Sequence, residues 1–264
     1  MNPIVLIPAR MASTRLPGKP LAMIGDAPMI VQVWRRAVAS FNGTVVVACD
    51  GEAIAAAITK AGGRAVLTDP DLPSGSDRIY QALQKIDAGK KHDIVVNLQG
   101  DMPTLDTSLV GQVLALMDNP KVDIGTLAAE IKEEREKSDP AVVKVAIGGL
   151  GIGDWALGKE NTSPIPNAQS PMPFSGRALY FSRAAIPSGD GPLYHHIGIY
   201  AYRRPALDYF VTLPPSPLEK REKLEQLRAL EAGMRIDVVV VDAVPLGVDT
   251  PETLDIARKF YEQK

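Results

Sequence analysis

Three short stretches hold residues whose types and spacing point to chemistry. The first is Arg10-Met11-Ala12-Ser13-Thr14-Arg15-Leu16-Pro17-Gly18-Lys19-Pro20, which follows the apolar run Ile4-Val5-Leu6-Ile7 by two residues. It carries the cations Arg10, Arg15 and Lys19, and no acid occurs before Asp26. Small neutral loop residues let backbone N–H groups approach an anion, and the cations neutralise it. Arginine offers a planar fork for phosphate oxygens, and lysine a mobile point charge. The stretch reads as a polyphosphate cradle; the competing reading is a solvated basic loop. It is not a Walker A loop, which needs glycine in place of Ser13 and Ser or Thr in place of Pro20. Nor does a Gly-x-Gly-x-x-Gly fingerprint follow the first apolar run.

The second stretch is Val96-Asn97-Leu98-Gln99-Gly100-Asp101-Met102-Pro103. An apolar run enters Gln-Gly-Asp, Gly100 permits a sharp turn, and Asp101 is left at the tip. Magnesium takes one or two carboxylates together with substrate phosphates, so Asp101 is a candidate ligand; its alternative is to cap the next turn. The third stretch is Gly247-Val248-Asp249-Thr250-Pro251-Glu252. Thr250 can cap the helix that Pro251 opens, which leaves Asp249 free. A cationic loop and two such aspartates together suggest metal-assisted phosphoryl chemistry more strongly than any one of them.

Other polar groups are weaker alone. Ser74-Gly75-Ser76-Asp77-Arg78 reads as a loop entering a helix. His196, Gly198 and Tyr200 share one face of a strand by period two, and a lone strand histidine is usually structural. Glu225 and Gln226 lie off the stripe of Leu224, Leu227 and Leu230, so solvent is their plainest surrounding. Asp69-Pro70-Asp71 fits the loose Asp-x-Asp pattern of metal-dependent glycosyltransferases, but the prolines nearby suggest a plain turn.

Positioning these groups requires strands whose carboxyl ends gather the loops. Short β-branched runs alternate with helical stretches, the pattern of an α/β fold with a mostly parallel central sheet flanked by helices. Strands are expected at 4–7, 44–48, 64–67, 94–98, 124–128, 142–147, 178–181, 197–202 and 236–241. Helices are expected at 28–39, 53–61, 77–86, 107–117 and 205–211, with one from Ser216 to Ala232 and a last one opening at Thr250. Open α/β sheets bind ligands at the carboxyl ends of their strands, where the first two stretches fall, while the third precedes a helix start. Residues 148–176 break the rhythm with six glycines and four prolines in 29 residues. They read as an insertion in a single domain spanning 1–264, with little helix or strand and no chemistry of its own.

Composition excludes several classes. The chain has 264 residues, 45% of them hydrophobic and 23% charged, which is ordinary globular usage. Its 29 basic and 31 acidic residues leave a net charge of −2, so there is no global basic field for nucleic acid. The lone Cys49 cannot form an internal disulfide, and three histidines with one cysteine do not make a zinc-finger set. No run of about 18 apolar residues is present to span a membrane. The first residues lack a basic segment, and their apolar run is too short for a signal peptide. A cytoplasmic protein without membrane insertion is expected.

Eight blocks in order carry a family resemblance: Ile7–Leu21, Ser74–Arg78, Asn97–Asp101, Ala178–Arg183, His196–Tyr200, Pro215–Glu219, Leu224–Arg228 and Gly247–Glu252. On these the chain resembles the 3-deoxy-D-manno-octulosonate (Kdo) cytidylyltransferases, or CMP-Kdo synthetases, over nearly its whole length except 148–176. The first block alone would indicate only the wider sugar nucleotidyltransferases, CMP-sialate synthetases included. The resemblance implies a nucleotide-diphospho-sugar transferase fold of the GT-A-like kind and a homodimer. It implies CMP transfer from CTP to the anomeric hydroxyl of Kdo for lipopolysaccharide assembly. It further implies that Ala9, Arg10, Ser13, Lys19, Gly75 and Gln99 hold CTP. Asp101 and Asp249 would bind magnesium and, with Lys19, serve catalysis. Arg15, Arg78, His196, Tyr200, Glu225 and Gln226 would line the sugar side. Met102 departs from the family, which usually has Glu there. The rival readings are a CMP-sialate-type enzyme, a glycosyltransferase using Asp69 and Asp71, and a non-catalytic nucleotide sensor.

Overall fold

The computed structural model describes residues 1–13, 15–149 and 174–263. In chain order the strands are β1 (Pro3–Ala9), β2 (Met23–Ile24), β3 (Ala27–Pro28), β4 (Thr44–Cys49), β5 (Arg64–Leu67), β6 (Ile94–Asn97), β7 (Ile124–Glu130), β8 (Lys144–Gly148), β9 (Ser175–Ser182), β10 (Tyr194–Arg203) and β11 (Ile236–Val241). The helices are α1 (Met29–Ser40), α2 (Glu52–Lys60), α3 (Gly75–Ile86), α4 (Leu109–Ala115), α5 (Glu134–Ser138), α6 (Arg204–Phe210), α7 (Pro217–Glu222), α8 (Gln226–Glu231) and α9 (Pro251–Glu262). The chain divides into two compact units: Met1–Ala115 with Gly198–Thr212 and Pro245–Lys264, and Leu116–Ile197 with Leu213–Val244.

In the first unit, β1 lies between β4 and β6, and β4 pairs with β5, all in parallel. Tyr200–Arg203 of β10 runs antiparallel to β6. The apolar runs of β1 and β6 are buried throughout their centres, as expected of strands covered on both faces. In the second unit, β7 and β11 are parallel, whereas β9 runs antiparallel to both β11 and β8. The expectation of a mostly parallel sheet thus holds for β5-β4-β1-β6, and the sheet is mixed. Apolar alternation marks a strand without giving its direction. Antiparallel neighbours need no crossover helix.

Two further expectations are corrected. The helix from Ser216 to Ala232 is two helices, broken at Lys223, whose φ is 55°. The Arg183 guanidinium donates to the carbonyls of Glu222 (2.8 Å) and Lys223 (3.4 Å), taking acceptors that a continuing helix would use. The expected loop 148–176 has strand at both described ends, Gly148 in β8 and Ser175–Gly176 in β9. The apolar residues Trp155, Leu157, Ile165 and Met172 of this stretch lie outside the described residues, and Phe174 is 47% exposed.

A small core in the first unit fixes the loops at the strand ends. Ile24, Met29, Val248, Leu254 and Ala257 pack together, with Leu16, Ala22, Leu246 and Tyr261 against them. Leu16 belongs to the cationic loop, and Val248 precedes Asp249, so one apolar cluster holds both stretches.

Candidate active site

The carboxyl ends of β1 and β6 approach closely. A Cβ on Gly100 would lie 2.6 Å from the Pro8 carbonyl oxygen, so this position excludes a side chain. Gly100 lies in the expected turn and also permits this close backbone approach. The Val248 N–H donates to the Asp101 carbonyl at 2.9 Å, which ties the Gln-Gly-Asp turn to the loop carrying Asp249. Beyond it, Thr250 caps α9 by accepting from the Thr253 N–H, and Asp249 donates its own N–H to the Thr253 hydroxyl at 3.0 Å. The cap needs no help from the Asp249 carboxylate.

These loops enclose a cleft of about 340 Å³ within the first unit. Ala9, Arg10, Ser13, Arg15, Lys19, Gly75, Arg78, Gln99, Asp101 and Asp249 all line it. In its lining the Lys19 ammonium lies 2.8 Å from Asp101 Oδ2 and 2.9 Å from Asp249 Oδ1. The other oxygen of Asp249 accepts from Arg15 at 2.9 Å. Burial works against the Lys19 ammonium, but Asp101 and then Asp249 outweigh it, and its pKa lies above the ordinary lysine value. For Asp249, burial would raise the carboxyl, while Lys19 and then Arg15 prevail and hold it below the usual carboxylate range. The cleft therefore keeps both of these charges at neutral pH. It can neutralise an anion and offer oxygen donors to a hard cation.

The wall formed by α3 is set by Ser74, which accepts from the Asp77 N–H at 3.2 Å as N-cap. Arg78 lines the cleft yet is only 2% exposed. Its guanidinium donates to the Thr68 hydroxyl at 2.6 Å and to the Asp69 and Pro70 carbonyls at 3.1 and 3.4 Å, fixing the segment that leads to the α3 N-terminus. Asp69 Oδ1 accepts from the Asp71 N–H at 2.9 Å, the self-capping of a plain turn. Neither acid lines the cleft.

Sequence reasoning missed Asp50. Its carboxylate oxygens accept the Met11 N–H at 3.0 and 3.1 Å, anchoring the start of the cationic loop. Asp50 follows β4 directly, the same strand-end signal that singled out Asp101.

The remaining sequence-predicted residues lie elsewhere. Tyr200 belongs to the first unit, pairs in register with Asn97, and is outside the cleft lining. His196, Glu225 and Gln226 belong to the second unit. His196 is buried, its Nε2 lies 3.1 Å from the Thr126 hydroxyl, and its ring meets Phe181 edge-on at 4.9 Å. Burial first, and His195 second, push its pKa down to about 3, so the ring is neutral at ordinary pH. Gln226 is 7% exposed, contrary to the expected solvent surrounding. The break at Lys223 restarts the helix at Gln226, so a stripe counted from Leu224 loses its phase.

The chain is similar to known proteins along nearly its whole length. A family model described as cytidylyltransferase matches residues 4–236. The 3-deoxy-manno-octulosonate cytidylyltransferase of a Bradyrhizobium species is 60% identical over 260 residues, covering 98% of this chain and 97% of that protein. That of Parvibaculum lavamentivorans is 57% identical over 257 residues, covering 97% and 92%. A solved structure of CMP:2-keto-3-deoxy-manno-octonic acid synthetase complexed with CTP superposes with a TM-score of 0.84 at 35% identity, covering 100% of this chain and 99% of that one. A cytidylyltransferase from Leptospira borgpetersenii shares the fold, with a TM-score of 0.59 at 16% identity. With relatives this similar aligned along nearly its whole length, the chain belongs to the 3-deoxy-manno-octulosonate cytidylyltransferase family.

Proposed function

We propose that this chain transfers CMP from CTP to the anomeric 2-hydroxyl of Kdo and releases pyrophosphate. The observation that carries the reading is the cleft in which Arg10, Arg15, Lys19 and Arg78 stand beside Asp101 and Asp249. It occurs in a chain 60% identical to a 3-deoxy-manno-octulosonate cytidylyltransferase.

In this reading the sugar hydroxyl oxygen bonds to the α-phosphorus, the bond from that phosphorus to the β-phosphate bridge breaks, and the hydroxyl proton passes to solvent. Arg10 and Lys19 stabilise charge on the α-phosphate and the departing pyrophosphate. Ala9, Ser13 and Gly75 present backbone and hydroxyl donors to CTP, and Gln99 lies near the base and ribose. The family resemblance assigns sugar recognition to Arg15, Arg78, His196, Tyr200, Glu225 and Gln226. A neutral His196 suits hydrogen bonding better than proton abstraction. Positioning and charge do most of the work, because phosphoryl transfer asks little covalent chemistry of the protein.

Asp101 and Asp249 already share one cation, the Lys19 ammonium, at 2.8 and 2.9 Å. Two carboxylates this close fit the donor set of magnesium. Bound there, the ion would supply neutralisation of phosphate oxygens and ease ionisation of the incoming hydroxyl. We further propose that residues 1–264 act as one GT-A-like nucleotidyltransferase domain, as a homodimer in the cytoplasm, feeding lipopolysaccharide assembly. Among the described residues, no helix is long and apolar enough to cross a membrane.

Pyrophosphate release tests the reading, with CTP offered alongside Kdo or N-acetylneuraminate. Faster release with Kdo is expected. Faster release with N-acetylneuraminate would make this a CMP-sialate-type enzyme, and CTP binding without release on any keto-sugar acid would make it a sensor.

A further inference from the structure

We propose that Lys19 is an internal counter-ion that makes dication binding at Asp101 and Asp249 conditional on a bound polyphosphate. The inference rests on the reading of the cleft as a magnesium–CTP site. It assigns Lys19 a second duty: to keep the acid pair from taking a metal ion alone.

The charges make the case. Asp101 and Asp249 carry two negative charges, and Lys19 and Arg15 return two positive ones through three contacts of 2.8 to 2.9 Å. The pair therefore presents no net charge to a passing dication. A bare ion must compete with the Lys19 ammonium for both carboxylates, and displacing it would cost an ammonium whose side chain is only 17% exposed both of these acceptors. A triphosphate changes that balance: it gives Lys19 and Arg15 new anionic acceptors in the same cleft and adds its own oxygens to the metal's shell. Each ligand then improves the other's binding, and the coupling is reciprocal by thermodynamic necessity.

The backbone of each acid is held without the lysine. The Asp101 carbonyl accepts from Val248, Asp249 is tied to Thr253, and Val248 is fully buried in the small core. Removing the ammonium should leave a preformed pair of carboxylates rather than a collapsed one.

The test is direct binding of Mn²⁺, followed by electron paramagnetic resonance without nucleotide, on the full chain and on Lys19→Met. The variant is expected to bind Mn²⁺ roughly tenfold more tightly than the wild type, a coupling of ordinary size. Lys19→Arg, which keeps the charge, should stay close to the wild type. With CTP present, sugar acid withheld and free Mn²⁺ corrected for its nucleotide complex, affinity should rise strongly in the wild type and much less in Lys19→Met. Equal or weaker Mn²⁺ binding by Lys19→Met overturns the proposal. Should that variant fail to fold by circular dichroism, a wild-type Mn²⁺ affinity indifferent to CTP overturns it equally. Failure here is separable from failure of the proposed function. Asp101→Asn and Asp249→Asn that turn over normally would sink the metal reading. Loss of turnover in both, with no gain of Mn²⁺ affinity in Lys19→Met, would sink only the counter-ion role.

Discussion

Two ion-pair clusters bracket β6 in the first unit, one before the strand and one after it. Before it, Asp87 receives Arg204 at 2.8 Å, and the two side chains are 3% and 5% exposed. The backbone N–H groups of Lys91 and His92 also donate to the Asp87 carboxylate, at 2.9 and 3.1 Å. After it, Lys19 is divided between Asp101 and Asp249, which are 28% and 45% exposed. The chemical groups are alike, but their surroundings are not. Asp87 is enclosed with backbone and arginine partners that no ligand could replace. Asp101 and Asp249 open onto a cleft, and their shared partner is a flexible ammonium. The first arrangement holds the fold together and the second can exchange partners, which is what binding a charged substrate requires.

The comparison breaks most visibly at Arg204. Arg204→Met would leave Asp87 buried without its strongest cation, and losing one partner of a buried pair costs about 3–5 kcal/mol. Urea denaturation should show that loss while the turnover of the folded variant stays within about twofold of the wild type. The Asp87 carboxyl is held to about 2: burial opposes the shift, and the N–H groups of His92 and Lys91, then Arg204, impose it. Because its folded pKa lies below the unfolded one, its stabilisation is present above pH 4 and is lost as pH falls toward 2.

At the other cluster the pattern should reverse. Asp101→Asn and Asp249→Asn should each lower turnover by about a hundredfold or more, since each removes a charged oxygen donor but almost no volume. Their melting temperatures should stay near the wild-type value, because half-exposed ion pairs contribute little to stability. EDTA should silence the wild type, and magnesium should restore it.

A smaller effect is expected at His196. Its folded pKa is depressed to about 3 from the ordinary 6.5. The unfolded chain takes up the proton first, so the protein loses stability as pH falls below 6.5. His196→Gln should flatten that part of the stability–pH curve, read by urea titration at several pH values. An unchanged curve would contradict a buried neutral imidazole. The smallest effect belongs to Asp69→Ala, which removes only a turn contact. It should change stability by no more than about 0.5 kcal/mol and leave turnover intact. A strong loss of turnover would revive the glycosyltransferase reading.

What the sequence discloses follows the range of the interactions. β11 falls at the expected residues because a short β-branched run reports burial locally. Lys19, Asp101 and Asp249 stand out because polar residues after apolar strands collect where ligands bind. The division of one helix into α7 and α8 stays hidden, because it depends on Arg183, some 40 residues away in the chain, donating to the Glu222 and Lys223 carbonyls. The burial of Gln226 is hidden for the same reason. Strand direction in the second unit escapes because a short apolar run marks a strand without naming the neighbour it pairs with. Asp50 was readable in principle, but its contact is to a backbone N–H, which leaves no mark on residue type.

Phosphorus NMR of a mixture of the protein, CTP, magnesium and Kdo tests the central claim most directly. The account predicts that the three CTP resonances give way to pyrophosphate and one new phosphodiester, in equal amounts, and that Asp101→Asn leaves CTP unchanged over the same time. Conversion of CTP to inorganic phosphate or free CMP without a phosphodiester, or equal phosphodiester formation by Asp101→Asn, would contradict it.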